Sequence, residues 1–550
     1  MFVCLVVLFL AAAAAPLSSA TAPPASSPWW APGAAIRGSR YALNTLHGLT
    51  PDLYGAARNN SRAIQAALKG AKPGTTVRIP PGTFYVMGGN YLDGLHNITF
   101  QVDGELRAPQ ACFDGCWPQQ QGTALDDAHL GAAVLGQHPT SRSATRATLG
   151  NPDVFIGKGG FLHFFQFSNC QHLTITGNGT FDGSGKGWWT RYTIGAHTSA
   201  KRPKLLVFTA TTDLLLENLT FLNSPSFNVL FSAVLRAEIR HITVNTDRNI
   251  VRRLKEARRR SRRLPAEVSA VQTGALGGGE GKKSVAHLQE GQEEQALPLR
   301  RNLFSPLQPE DLNTDGIDPN GKDIWIHDST IVNDDDSIAV KPMSQSGGHG
   351  LPLNCTENIL IENMHLTGFG ASIGSVPPHS DHNCVRNITF RNISMPGTGK
   401  GVYVKSNPTC DGTNSAEITN IVYEDITMDK PLWWPVWIGP QQQQEPGTAL
   451  GRKCALQYPI LNHCPTQGCV SFTNITLRRI TITDPLLSPG VIMGNTTAGV
   501  NNMHGLVFED VVVENPGMWP YKRNYQCKFA SGVAKGKTSP VPPCFEKEEE

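Results

Sequence analysis

The sequence predicts an all-β chain wound as a single-stranded, right-handed parallel β-helix. Three observations carry that prediction. Short alternating segments rich in β-branched residues recur every roughly 20 to 35 residues, each bounded by Asn, Asp or Gly. The two-residue turns that mark antiparallel hairpins are scarce. Gly and Pro number 54 and 39 among 550 residues while only 17% of residues are charged, a composition suited to turn-rich β structure. A chain of this length would ordinarily divide into several domains. A solenoid escapes that expectation, because each coil buries its face only against its neighbours.

Residues 1–20 read as a secretory signal peptide. Phe2 to Leu17 are nearly all apolar and Ser18-Ser19-Ala20 closes the run with small residues. The run is short for a membrane span, so the mature chain is expected to be secreted, to the cell wall or medium, with no membrane attachment. About nine Asn-x-Ser/Thr acceptor sites fit that compartment. Twelve cysteines are present, one of them (Cys4) in the signal, which leaves an odd number. Cys112 with Cys116 and Cys464 with Cys469 are close enough for local disulfides.

Residues 21–58 form a Pro/Ala/Ser-rich lead. Ser61 then caps a short helix, Arg62 to Lys69, that Gly70 ends. One β-helix domain is expected over 59–247 and 309–530. Its alternating segments include His96 to Gly104, Ala237 to Thr246, Lys322 to Asn333, Arg386 to Gly397 and Phe472 to Pro485. Residues 248–308 break the pattern with an Arg-rich run followed by Gly277-Gly278-Gly279 and a Gln/Glu-rich tract. This segment has the composition of a disordered insertion. It carries a net +7 and leaves the remainder at −4, so the chain's formal charge of +3 gives no reason to expect a nucleic-acid partner for the body of the protein. Residues 531–550 are read as a C-terminal tail ending in solvated acid. A monomer is expected.

The stretch with the most chemistry is Asn313 to Lys341. Asp315 lies in an Asn-Thr-Asp-Gly turn, and some twenty residues later comes Asp334-Asp335-Asp336. One coil of a β-solenoid stacks such turns. Carboxylates gathered in one cleft suit hydrolysis of a glycosidic bond, where one protonates the leaving oxygen and another activates water. Adjacent Asp335 and Asp336 point to opposite sides of an ideal strand, so both can serve only at a bend.

Asn313-Thr314-Asp315-Gly316-Ile317-Asp318 with Asp335-Asp336-Ser337-Ile338-Ala339-Val340-Lys341 resembles the active-site signature of glycoside hydrolase family 28, the polygalacturonases and related pectin hydrolases. The resemblance implies a pectin lyase-like solenoid, inversion at the anomeric carbon, no cofactor and no metal. It implies Asp335 as general acid, with Asp315 and Asp336 orienting and deprotonating the attacking water. Lys341, Tyr403 and Lys405 would contact substrate. Asn313, Asp318, Gly368, Phe369 and Gly370 would support the site. Gly177 to Gly185 with Trp188-Trp189, Arg202-Pro203 and Asn223-Ser224-Pro225 are similar to further landmarks of that family.

Two landmarks are altered. Phe369 stands where the family has His between two glycines, and Tyr403 where it has the Arg that grips a substrate carboxylate. His349, His379 or His382 could replace the lost imidazole from a loop. Trp433, Trp434 and Trp437 form either a sugar-stacking shelf or aromatic core. The expected activity is therefore hydrolysis of pectin-type, galacturonan-like polysaccharide. A carbohydrate-binding β-helix without catalysis and a calcium-dependent pectate lyase remain as alternatives.

Overall fold

The computed structural model describes residues 40–42, 53–109, 117–118, 161–193, 202–246, 313–407, 413–441, 469–495 and 499–548. The signal peptide, the basic insertion, Cys112, Cys116 and Cys464 lie outside these residues, and so does the expected Cys464–Cys469 pairing. No described helix is long and apolar enough to cross a membrane.

The expected β-helix is what the chain forms. All described strands join one sheet. Its ladders are parallel except for Met343–Ser344 against Asn383–Pro396. Each coil in the second half pairs one short strand with one long strand. Ile338–Val340 is followed by Thr356–Leu366, Ala371–Val376 by Asn383–Pro396, and Val402–Ser406 by Ala416–Asp429. The long strands bend where Asn or Asp adopts a left-handed backbone, as at Asn358, Asn363, Asn387, Asn392 and Asn420. These residues tolerate that conformation better than most. Stacked coil on coil, they form exposed amide ladders, such as Asn358 to Asn387 to Asn420 to Asn474.

Alternation sends every second side chain inward. Ile326, Ile361, Phe390, Tyr423, Leu477 and Phe508 occupy one register position in six successive coils, and all are buried. The rings of Phe390 and Tyr423 stack at 4.6 Å between centroids. The coil period also explains a disulfide that short spacing could not suggest. Cys355 and Cys384 immediately precede the paired residues Thr356 and Val385, so their Cα atoms lie 4.9 Å apart and a bond joins them.

Two sequence boundaries need correction. The N-terminal helix spans Leu53–Lys69 rather than beginning at Arg62, so it starts within the expected lead. Ser61 is a buried tether, not a cap: its hydroxyl exchanges hydrogen bonds with the Met87 backbone. Ala57, Ile64 and Leu68 close the end of the apolar lumen. At the other end, residues 531–548 of the expected tail are built into the fold. Gly532–Lys535 pairs with Leu506–Glu514 and then with Phe545–Lys547, and Cys527 bonds Cys544.

On the back of the solenoid His327 is buried between Glu238, at 3.2 Å, and Asp328, at 2.6 Å, and stacks on Trp325 at 3.8 Å. Burial opposes its charge, but the two carboxylates outweigh burial and raise its pKa. A raised folded-state pKa gives stability that is complete below the unfolded value of about 6.5 and is lost as pH rises through the folded value. We expect His327→Gln to flatten the fall in unfolding midpoint between mildly acidic and mildly alkaline pH. An unchanged slope in urea melts across that range would refute this role.

Candidate active site

The candidate site is built by stacking turns. The pairing Leu206↔Val229↔Ile317↔Ile338↔Ala371↔Val402↔Val436 aligns seven coils. Two residues before each of these positions stand Lys204, Phe227, Asp315, Asp336, Phe369, Lys400 and Trp434. Asp315 and Asp336 are therefore neighbours in this row, about 4.8 Å apart at the backbone. A Phe and then a Lys follow on either side.

The second acidic turn is a bend, as the adjacency of Asp335 and Asp336 requires. Asn333 shapes it by donating its amide to the carbonyls of Thr314 and Asp336, both at 2.9 Å. Its amide oxygen accepts from the Ser337 hydroxyl at 3.0 Å. Thr314 receives the Asp334 N–H at 3.3 Å, which locks the two acidic turns together. Asn333, directly after the strand Gly321–Val332, has no distinct signal in the sequence, because a polar residue closes many of these strands.

The two carboxyls of the pair face different donors. Asp336 accepts from the Lys405 ammonium at 2.5 Å and the Ser372 hydroxyl at 2.7 Å, one donor on each carboxylate oxygen. Among the described residues, Asp335 accepts only from backbone N–H groups, those of Asn313 at 2.6 Å and Asp336 at 2.8 Å. Burial, reinforced by the Asp315 and Asp336 charges and opposed by Lys405, pushes the Asp335 carboxyl up to about 8. Asp315 is raised well above the carboxylate range by burial and Asp318, against the pull of Lys341. Burial likewise takes Asp318 up to about 7. Lys341 bridges Asp315 at 3.3 Å and Asp318 at 3.4 Å, and these charges raise its own pKa despite burial.

Gly368 and Gly370 sit under the acidic bend. Gly368 has φ +58°, and a Cβ there would lie 2.2 Å from the Asp335 carbonyl oxygen. The Phe369 N–H donates to that same oxygen at 2.8 Å. Gly368→Ala is expected to displace the bend and lower turnover at least tenfold, with a smaller loss of folding stability. Paired rate and melting measurements check this; a variant with full turnover would show that the close approach does not hold Asp335.

The remaining candidates fall in different places. Tyr403 is buried, with Lys400 and Lys405 at 3.4 and 4.2 Å from its ring centroid. Trp433, Trp434 and Trp437 form aromatic core with Phe369, Tyr403 and Leu487, so they offer no sugar-stacking shelf. His349 meets Ser232 at 3.2 Å, His382 meets Ser415 at 2.8 Å, and His379 pairs with Asp381. The contacts of these three histidines are not with the Asp cluster.

The sequence profile of glycosyl hydrolases family 28 matches residues 129–250 and 306–528, which includes every Asp of the cluster. The chain belongs to glycosyl hydrolases family 28. Family 28 relatives extend the likeness. A probable endo-xylogalacturonan hydrolase A of Aspergillus flavus is 23% identical over 67% of this chain and 64% of its own length, so the chain aligns with less than two thirds of that relative. An exopolygalacturonase of Arabidopsis thaliana is 34% identical over 22% of this chain and 24% of its own length. Among solved structures, the endo-xylogalacturonan hydrolase of Aspergillus tubingensis superposes with TM-score 0.53 and 16% identity, covering 93% of this chain and 99% of that one. The polygalacturonase of Erwinia carotovora gives 0.51 and 19%, covering 86% and 93%. At these identities the two structures establish the fold, the right-handed parallel β-helix.

Proposed function

We propose that this family 28 chain is a secreted glycoside hydrolase that cleaves α-glycosidic bonds in pectin-type, galacturonan-like polysaccharide with inversion. The observation that carries the reading is the unequal set of donors that two adjacent buried carboxyls receive. Asp335, pushed up to about 8, can hold a proton at neutral pH, while Asp336 receives an ammonium and a hydroxyl. A carboxyl that keeps its proton beside one that receives an ammonium can divide the work of acid and base. Asp335 gives its proton to the leaving oxygen. Asp336 takes one from water, and Asp315, its neighbour in the row, orients that water. Inverting enzymes need room for water between acid and base. The names of the relatives, which specify xylogalacturonan and polygalacturonate hydrolysis, support the substrate class.

A second reading, glycan binding without hydrolysis, is favoured by one observation: Phe369 cannot hold a proton or hydrogen-bond through its side chain. Incubation with polygalacturonate, rhamnogalacturonan, xylogalacturonan and neutral glycans separates the two. Saturated reducing ends from an acidic polymer support the hydrolase. Saturable binding with no product on any polymer would replace it with the binding module.

A further inference from the structure

Lys341 and Lys405 each neutralise a carboxylate of the cluster, but a third lysine does not. Lys400 is 1% exposed, and among the described residues its ammonium has no hydrogen-bond or ion-pair partner. Long cationic side chains are seldom buried that way, because an uncompensated charge is costly. Its nitrogen instead faces three rings, at 3.4 Å from the centroid of Tyr403, 5.3 Å from Trp437 and 5.4 Å from Phe369. Two of those rings are the altered positions. Lys400 therefore places an amine between the sites of the absent His and the absent Arg. It stands two coils beyond Asp336 in the same row, about 10 Å along the solenoid, and leans back over Phe369.

Resting on the hydrolase reading, we infer that Lys400 is the residue by which this chain recognises the carboxylate of a hexuronate next to the cleaved bond, in place of the guanidinium missing at Tyr403. Aromatic faces surround the amine without neutralising it, and an incoming carboxylate supplies the missing counter-charge. Burial and the Lys405 charge push Lys400 well below its usual range, against Asp336 and Asp335. Substrate binding would then draw a proton to the amine, since an adjacent anion favours the charged form. Lys400, at 1%, is enclosed to nearly the same degree as Asp336 at 2% and Lys405 at 3%, residues of the cluster that the hydrolase reading already requires a substrate to meet.

The test compares wild type, Lys400→Met and Lys400→Arg on polygalacturonate and on its methyl ester. Lys400→Met should raise KM for the acid polymer roughly 10- to 100-fold, far more than for the ester, while kcat changes little and Lys400→Arg recovers much of the loss. Calorimetry in buffers of differing ionisation enthalpy should show proton uptake on oligogalacturonate binding by wild type and not by Lys400→Met. Equal losses on both polymers, or none, would overturn the inference, with urea melts distinguishing misfolding of the Met variant from a local effect. If wild type cleaves neither polymer, the hydrolase reading fails instead. Oligogalacturonate affinity then decides the role of Lys400, which is upheld if Lys400→Met weakens it and overturned if it does not.

Discussion

Asp335→Asn is expected to lower turnover on the acidic polymer by roughly 10²- to 10⁴-fold while leaving the solenoid folded. The amide is nearly isosteric and still accepts the Asn313 N–H through its oxygen, but it has no proton to give a leaving group. The wild-type rate should decline as pH rises through the raised pKa of Asp335, about 8, because the acid form disappears there. Stability should decline as pH rises over a lower range, between the usual carboxyl value of about 4 and the raised value of about 8. A carboxyl with a raised folded-state pKa favours folding below its unfolded value and loses that contribution as pH climbs through the folded one. Reducing-end assays and circular dichroism across pH check both statements. Near wild-type turnover in the Asn variant would remove Asp335 from the acid role.

Lys405→Met should have the largest effect on stability. Lys405 and Asp336 form a buried pair at 2.5 Å with side-chain exposures of 3% and 2%. Removing one partner of such a pair typically costs about 3–5 kcal/mol, because the other charge is left uncompensated. Ser372 would remain as a neutral donor to Asp336. The double variant Lys405→Met/Asp336→Asn should regain much of the stability but not the activity, since the base is gone. Urea melts measure the first quantity and reducing-end assays the second. A loss under about 1 kcal/mol in the single variant would mean that the pair is screened in solution as surface pairs are.

The sequence makes the solenoid legible because its signal is repeated: alternation in the strands, Asn or Asp at the bends, and a recurring coil length. The acidic turns are legible because Asp315 and Asp335-Asp336 fall within one uninterrupted coil. Features that depend on register across coils of unequal length are hidden. Cys355 and Cys384 meet because each precedes a paired strand, although their spacing marks no known motif. Lys400 joins the row of Asp315 and Asp336 only when successive coils are aligned, so nothing in Thr398-Gly399-Lys400 announces it. The Trp433–Trp437 group illustrates the converse ambiguity. An aromatic run reads equally as a sugar platform or as packing, and the burial of all three indoles against Phe369 and Tyr403 decides for packing. Ser61 misleads for a related reason: a serine preceding an apolar stripe looks like a cap, whereas tertiary contact with Met87 holds it inside the helix.

Whether the acidic bend at Asp335 and Asp336 works as an inverting acid–base pair is read out by proton NMR of the first products released from an acidic pectin polymer. Saturated oligosaccharides should appear first with inverted reducing-end configuration and then mutarotate, and the signal should vanish in Asp335→Asn. Retained configuration, or unsaturated non-reducing ends of the kind a lyase leaves, would contradict that role.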